Sequence, residues 1–334
     1  MNPMKILFAG TPEPAAVALE HLLADPRIEV AGVLTQPDAP RGRGRTVYPS
    51  KVAEVAEKHG LEVHKWASLK KNAEENGSAE TLRDYAERGV QAVAVVAYGN
   101  LIPRDLLNVF PHGWVNLHFS LLPRWRGAAP VQAALAAGDA TTGATIFRIE
   151  EGLDTGPMLS SQEEKIEVTD TADDLLTRLT MQGRELLADT LTSLHEGTAE
   201  YTEQDESQAT HAAKIRSADA RIDWSQPAEV IQRVARAHTP APGAWTMLGE
   251  QRFKIGLLLP TAEEALPAGQ MIFQNKKLLV GTGTNVLEIM TIQPPGKKMM
   301  QAADWARGQH ALQEAPQQFE NNQDGTNGHA EGHN

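Results

Sequence analysis

Trp114-Val115-Asn116-Leu117-His118-Phe119-Ser120-Leu121-Leu122-Pro123-Arg124-Trp125-Arg126-Gly127 begins as a strand and ends as a turn. Its first six residues alternate in character, and bulky side chains at alternate positions predict a strand. Residues two apart on a strand face the same side, so Asn116 and His118 point together. Pro123 cannot continue a central strand, so the chain must turn just past that pair. An amide and an imidazole are thus presented side by side at a strand end, where open α/β sheets place their ligands.

Further on comes Glu151-Gly152-Leu153-Asp154-Thr155-Gly156, in which glycines allow a tight turn around one acid. Folded back onto His118, Asp154 would orient the ring and hold it protonated. Asn116 and a cationic His118 would then be two donors aimed at one point, as an oxyanion requires. Singly, each residue has a plainer reading, Asn116 and Asp154 as turn formers and His118 as a bonded core histidine. Only the whole constellation favours chemistry.

With Asn116-Leu117-His118, Ser120-Leu121-Leu122-Pro123-Arg124-Trp125-Arg126-Gly127-Ala128-Ala129-Pro130 and Gly152-Leu153-Asp154-Thr155-Gly156, the chain resembles the methionyl-tRNA formyltransferases. The resemblance covers residues 4 to about 314. It implies Asn116, His118 and Asp154 as the catalytic trio and Ser120, Leu121, Leu122 and Pro123 as the segment touching the folate. It also implies transfer of a formyl group from 10-formyltetrahydrofolate to the α-amine of methionyl-initiator tRNA, without a metal. The trio and the Ser-Leu-Leu-Pro segment fit any formyltetrahydrofolate enzyme; the run from Arg124 to Pro130 is more particular.

Outward from this centre, Lys5–Gly10 reads as a buried strand, 15–23 as a helix helped by Pro12 and Pro14, and Ile28–Leu34 as a second strand. This βαβ opening belongs to doubly wound, Rossmann-like α/β folds. One glycine in Gly10-Thr11-Pro12-Glu13-Pro14 excludes the dinucleotide fingerprint, which needs three. Residues 51–59 and 80–88 read as helices, 61–66 as a short strand, and 72–79 as an exposed connection. Val90–Tyr98 is apolar throughout and predicts a central strand, with Ala97–Gly99 as a wall for the pterin. Residues 128–137 form a helix started by Pro130, 142–150 a strand delivering Asp154, and 171–195 an amphipathic helix capped by Asp170 or Thr171.

Gln36-Pro37-Asp38-Ala39-Pro40-Arg41-Gly42-Arg43-Gly44-Arg45-Thr46 sets three arginines among glycines. As a plain sequence it is a solvated basic loop, mobile over 38–46. The resemblance implies that it inserts at the acceptor end of the tRNA with Arg43 at its tip, flanked by Arg41 and Arg45.

The expected organisation is a catalytic domain with its linker over 1–207, a small tRNA-contacting β-barrel of the oligonucleotide-binding (OB-like) type over 208–314, and a disordered tail over 315–334. Residues 197–207 read as the linker, so the site would lie wholly within 1–207. The barrel rests on short strands expected at 243–248, 251–259, 269–273, 277–281 and 286–293 after a helix at 228–237. Ala220-Arg221-Ile222-Asp223-Trp224 and Gln293-Pro294-Pro295-Gly296-Lys297-Lys298-Met299 also match the family, the latter offering Lys297 and Lys298 to tRNA. His238-Thr239 departs from the more usual phenylalanine and asparagine.

The net charge of −12 excludes non-specific coating of nucleic acid, though residues 208–314 carry a surplus of +3. No cysteine is present, which removes disulfides, thiolate ligands and a cysteine nucleophile. No apolar run approaches a membrane span and no signal-peptide layout precedes the first strand, so a cytoplasmic protein without membrane contact is expected; a monomer is expected, though nothing in the residues derives it. Three further readings share some of these features. They are a formyltransferase acting on a small amine, such as glycinamide ribonucleotide or an amino sugar, a formyltetrahydrofolate hydrolase, and a tRNA-binding protein without catalysis.

Overall fold

The computed structural model describes residues 2–41, 46–69, 76–263 and 265–321. The chain forms two compact units, Met1–Pro130 with Thr141–Lys165 and Leu176–Ala213, and Val131–Ala140 with Ile166–Leu175 and Lys214–Asn334. No helix among the described residues is long and apolar enough to cross a membrane.

In the first unit, β1 (Met4–Gly10), α1 (Glu13–Ala24) and β2 (Ile28–Thr35) realise the βαβ opening. Pro12 caps α1, and Pro14 sits in its first turn, where a missing N–H costs nothing. There follow β3 (Ala39–Arg41), β4 (Thr46–Tyr48), α2 (Lys51–Lys58), β5 (Val63–Lys65), α3 (Ser78–Glu87), β6 (Ala92–Val96) and β7 (Trp114–His118). After β8 (Arg126–Gly127) comes α4 (Pro130–Ala137), which from Val131 on is counted with the second unit, then β9 (Thr141–Arg148), β10 (Met158–Lys165), α5 (Ala172–Glu196), which is in the first unit from Leu176, and β11 (His211–Ala212). The seven-stranded sheet runs β10-β9-β7-β6-β1-β2-β5. Strands β1, β2, β5, β6 and β7 pair in parallel, and β9 and β10 add an antiparallel edge. The order reverses between β1 and β6, so a crevice is expected outside the carboxyl ends of β1, β6 and β7. Every residue of β6 is buried, as a central strand requires. Helix α5 lies close on β7: a Cβ on Gly183 would come within 2.8 Å of the Leu117 side chain.

In the second unit, α6 (Ala228–Ala237) precedes β12 (Trp245–Leu248), β13 (Gln251–Ile255), β14 (Leu258–Pro260), β15 (Gln270–Gln274) and β16 (Lys277–Gly281). Then come β17 (Val286–Ile289), β18 (Thr291–Gln293), β19 (Met300–Gln301), α7 (Ala302–Arg307), α8 (His310–Glu314) and β20 (Gln317–Gln318). The expected small barrel is built from two antiparallel sheets, β12-β13-β18-β19 and β14-β17-β16-β15-β20, around a core that includes Trp224, Phe253, Leu258, Met271 and Leu278. The stretches 251–259 and 286–293, each expected as one strand, break into two. Thr291 binds the backbone N–H of Gly256 and Leu257, so the chain bends there and passes from one sheet to the other.

Four local expectations are corrected. Residues 39–41 and 46–48 are not loop but a two-stranded ladder, with Ala39 opposite Tyr48 and Arg41 opposite Thr46; Asp38 pairs with Lys65 at 2.7 Å beside it. Ser78 and Ala79 are not exposed connection but the buried start of α3, where Asn76 accepts the Ser78 N–H. Residues 197–207 are not a free linker, because Thr202 pairs with Met158 and Gln204 is buried. The tail from 315 is ordered as far as it is described: β20 pairs with β15, and Phe319 is fully buried, stacked on Trp224 at 5.4 Å.

Candidate active site

Strand β7 is gripped on both sides, Asn116 lying opposite Val95 of β6 and Phe147 of β9, and His118 opposite Thr145 of β9. That register carries Asn116 and His118 to the carboxyl end of the strand on one face, as their spacing predicts. Asn116 is half-buried and its amide takes no partner among the described residues. His118 is buried, with Phe147 edge-on at 6.2 Å.

The imidazole is held at both nitrogens. Nε2 lies 2.9 Å from the Trp125 carbonyl, which can only accept, so Nε2 carries a proton. Nδ1 faces Asp154 Oδ2 at 3.8 Å. Burial pushes the His118 pKa below the ordinary histidine value, with the Asp154 carboxylate and the Trp125 carbonyl opposing the shift. Burial thus works against the cation that the sequence reading expects on His118. A proton reaching it arrives at Nδ1, beside the carboxylate that stabilises the resulting charge.

Asp154 is brought to the site as expected. Its Oδ2 accepts the Gly127 N–H at 2.7 Å, and its backbone is left-handed at φ 54°. Trp125 is left-handed too, at φ 62°, a conformation that costs a bulky residue about 1–3 kcal/mol and persists only when its surroundings enforce it. The backbone of 125–127 thus touches both ionisable members of the trio, through the Trp125 carbonyl and the Gly127 N–H.

Ser120 and Leu122, expected against the folate, are buried in the turn itself. The Ser120 hydroxyl donates to the Arg124 carbonyl at 2.6 Å, and Thr145 Oγ1 bridges the Ser120 carbonyl and the Leu122 N–H. Contact surface is left to the half-buried Leu121 and Pro123. Ala97 and Gly99, at φ 46° and 84°, bend the chain beyond β6, and Thr11 and Gln36 both donate to the Tyr98 carbonyl there. Lys297 and Lys298 are exposed, in the turn between β18 and β19. Arg41 ends β3; Arg43 and Arg45 lie outside the described residues.

The sequence reading missed Arg126, Gln204, Glu206 and Thr210. Arg126 is 2% exposed and donates to Gln204 Oε1 and to the Glu206 carboxylate. Thr210 Oγ1 accepts the Trp125 N–H, and β11 pairs in parallel with β8. The available signal was an arginine placed directly before the small apolar run Gly127-Ala128-Ala129-Pro130, since a buried guanidinium demands acceptors.

Residues 4–191 match the formyl transferase family and residues 214–310 the formyl transferase C-terminal domain. A methionyl-tRNA formyltransferase of Corynebacterium jeikeium is 69% identical over 313 residues, covering 92% of this chain and 96% of its own. One from Streptomyces coelicolor is 49% identical over 306 residues, covering 91% and 96%. Among solved structures, an N-formyltransferase from Helicobacter canadensis, in complex with folinic acid and dTDP-3-aminofucose, superposes with a TM-score of 0.64. Its identity is 17%, over 86% of this chain and 99% of its own, and the likeness concerns the fold alone.

Proposed function

The chain belongs to the methionyl-tRNA formyltransferases, and we propose that it moves the formyl group of 10-formyltetrahydrofolate onto the α-amine of methionine esterified to initiator tRNA. The observation that carries the assignment to this site is the meeting of Asn116, His118 and Asp154 at the carboxyl end of β7. An α-amine has a pKa near ~8, so part of it is unprotonated at neutral pH and attacks without a strong base. The amine nitrogen bonds to the formyl carbon, the bond from that carbon to the folate nitrogen breaks, and the proton shed by the amine ends on the folate nitrogen.

Asn116 is the donor ready at rest for the charge that develops on the formyl oxygen. His118 becomes a second donor when Nδ1 takes the proton in transit, and Asp154 stabilises the imidazolium as it forms. Leu121 and Pro123 supply apolar contact to the folate. Arg41, Arg43 and Arg45, with Lys297 and Lys298, supply cations for the tRNA phosphates, whose neutralisation makes affinity salt-dependent.

Purified full-length protein supplied with labelled 10-formyltetrahydrofolate tests the assignment. Label should appear on initiator methionyl-tRNA and not on free methionine. Release of formate without transfer, or transfer to a small amine in preference to the charged tRNA, would overturn it.

A further inference from the structure

The segment from Thr202 to Ala212 touches both the loop that carries Asp154 and the turn at 125–127 that meets His118. We propose that Gln204, acting with Arg126, is a positioning residue for formyl transfer, locking the loop that bears Asp154 to the loop that orients His118. The inference rests on the formyl-transfer reading above.

Gln204 is 8% exposed, and every hydrogen-bonding site of its amide is used. Nε2 donates to the carbonyls of Asp154 and Gly156, each at 2.8 Å. Oε1 accepts from Arg126 Nε at 3.0 Å and Nη2 at 2.9 Å. One amide therefore bridges the backbone of the acidic loop and the side chain of the residue between Trp125 and Gly127. Those two neighbours are the residues whose backbone meets His118 and Asp154.

The rest of the segment holds the same strained loop. Arg126 N–H donates to the Thr210 carbonyl at 2.8 Å, Ala128 N–H to the Ala212 carbonyl at 2.9 Å, and Thr210 N–H to the Pro123 carbonyl at 3.2 Å. At Gly127, φ is 120°, and a Cβ there would lie 2.5 Å from the Ala212 carbonyl oxygen. Only glycine permits that approach, so the loop and the segment fit as one piece. At its other end the segment is fastened by reciprocal 2.8 Å bonds between Thr202 and Met158. Around the imidazole, the facing groups are the Asp154 carboxylate, the Trp125 carbonyl and the Phe147 ring, so Asp154 is the charge whose placement governs it.

The test uses the full chain with Gln204→Ala and Gln204→Glu. The glutamate keeps acceptors for Arg126 but cannot donate to the two carbonyls, so it isolates the bridge to the Asp154 loop and guards against a misfolded alanine variant. A misplacement of about 1 Å costs about 10²-fold in rate. Both variants should therefore lose about that much kcat, with the KM for 10-formyltetrahydrofolate within about twofold of the parent. The His118 ring signals, followed by nuclear magnetic resonance as pH is varied, should titrate lower in Gln204→Ala as Asp154 moves off.

The proposal is overturned if a folded variant keeps the parental kcat. It is equally overturned if kcat falls while the His118 titration in Gln204→Ala stays where it was, since that marks mere scaffolding. An inactive parent would remove the formyl-transfer reading, while the ring titration would still decide whether Gln204 places Asp154 against His118.

Discussion

Replacing Asp154 by asparagine removes one charge and little else. Asparagine tolerates the left-handed backbone found there, and its side-chain oxygen can still accept the Gly127 N–H now bonded at 2.7 Å. The substitution should therefore cost the fold no more than about 1 kcal/mol, the difference between a charge-assisted and a neutral hydrogen bond. What disappears is the carboxylate 3.8 Å from His118 Nδ1. At that separation, and with an effective dielectric of about 20, an imidazolium and a carboxylate attract by roughly 4 kcal/mol. Since about 1.4 kcal/mol is tenfold in rate, a step that places a proton on His118 should slow by about 10³-fold. Initial rates of methionyl-tRNA formylation across pH 6–9, with urea unfolding of the same preparations, measure both quantities. A stable Asp154→Asn enzyme with a near-parental rate and an unchanged pH profile would reduce Asp154 to a turn residue and refute the argument.

Asn116→Ala should lower kcat by about 10²–10³, the usual cost of one oxyanion donor, with unfolding unchanged; near-normal turnover would remove Asn116 from the chemistry. Arg43→Ala should impair use of methionyl-tRNA much more than binding of the folate, and Arg43→Lys should only partly restore it, because an ammonium lacks the planar fork. Equal losses toward both substrates would place that residue at the folate pocket instead. Phe319→Ala should destabilise the second unit by about 3–5 kcal/mol, since it empties a fully buried site stacked on Trp224; an unchanged unfolding transition would mean that the tail does not dock. Burial lowers the folded pKa of His118, so the unfolded chain binds the extra proton first as pH falls. This contribution to stability is fully present above the unfolded value near 6.5 and is lost from there down to the folded pKa, at up to about 1.4 kcal/mol per pH unit. His64 and His112, also lowered chiefly by burial, act with the same sign. Urea midpoints at pH 7.5 and 5.5 should therefore fall toward acid, and less steeply in His118→Gln; a rise toward acid would contradict the assigned direction.

What could be read from the sequence was whatever is enforced within a few neighbours. The alternation from Trp114 to His118 has the period of a strand, Pro12 and Pro14 mark a helix start, and the apolar run of β6 admits little but a central strand. Asp154 could be assigned because glycines flank it and the family resemblance pairs it with His118. What could not be read depends on a distant partner. Gln204 looks like linker until Arg126, 78 positions earlier, is placed against it. Strand β10, MLSSQEEK, is largely polar because it is the exposed edge of the sheet, and no apolar period announces it. Phe319 is the lone aromatic residue of 315–334, too little to signal a core without Trp224 to stack on.

The same dependence changes where the site ends. All three members of the trio precede residue 207, which made a site wholly within 1–207 the natural expectation. Yet the Trp125 N–H that helps hold the left-handed turn is bound by Thr210, and the strand partner of Arg126 and Gly127 is His211–Ala212. A chain cut after Ser207 would retain Asn116, His118 and Asp154 and lose the backbone that fixes the carbonyl against Nε2. It would also lose the Ala212 carbonyl that holds Ala128, the residue next to the Gly127 N–H donor. The proposed chemistry rests on the trio, but the trio's geometry is held by a segment that is polar, ordinary in composition, and more than eighty residues from His118.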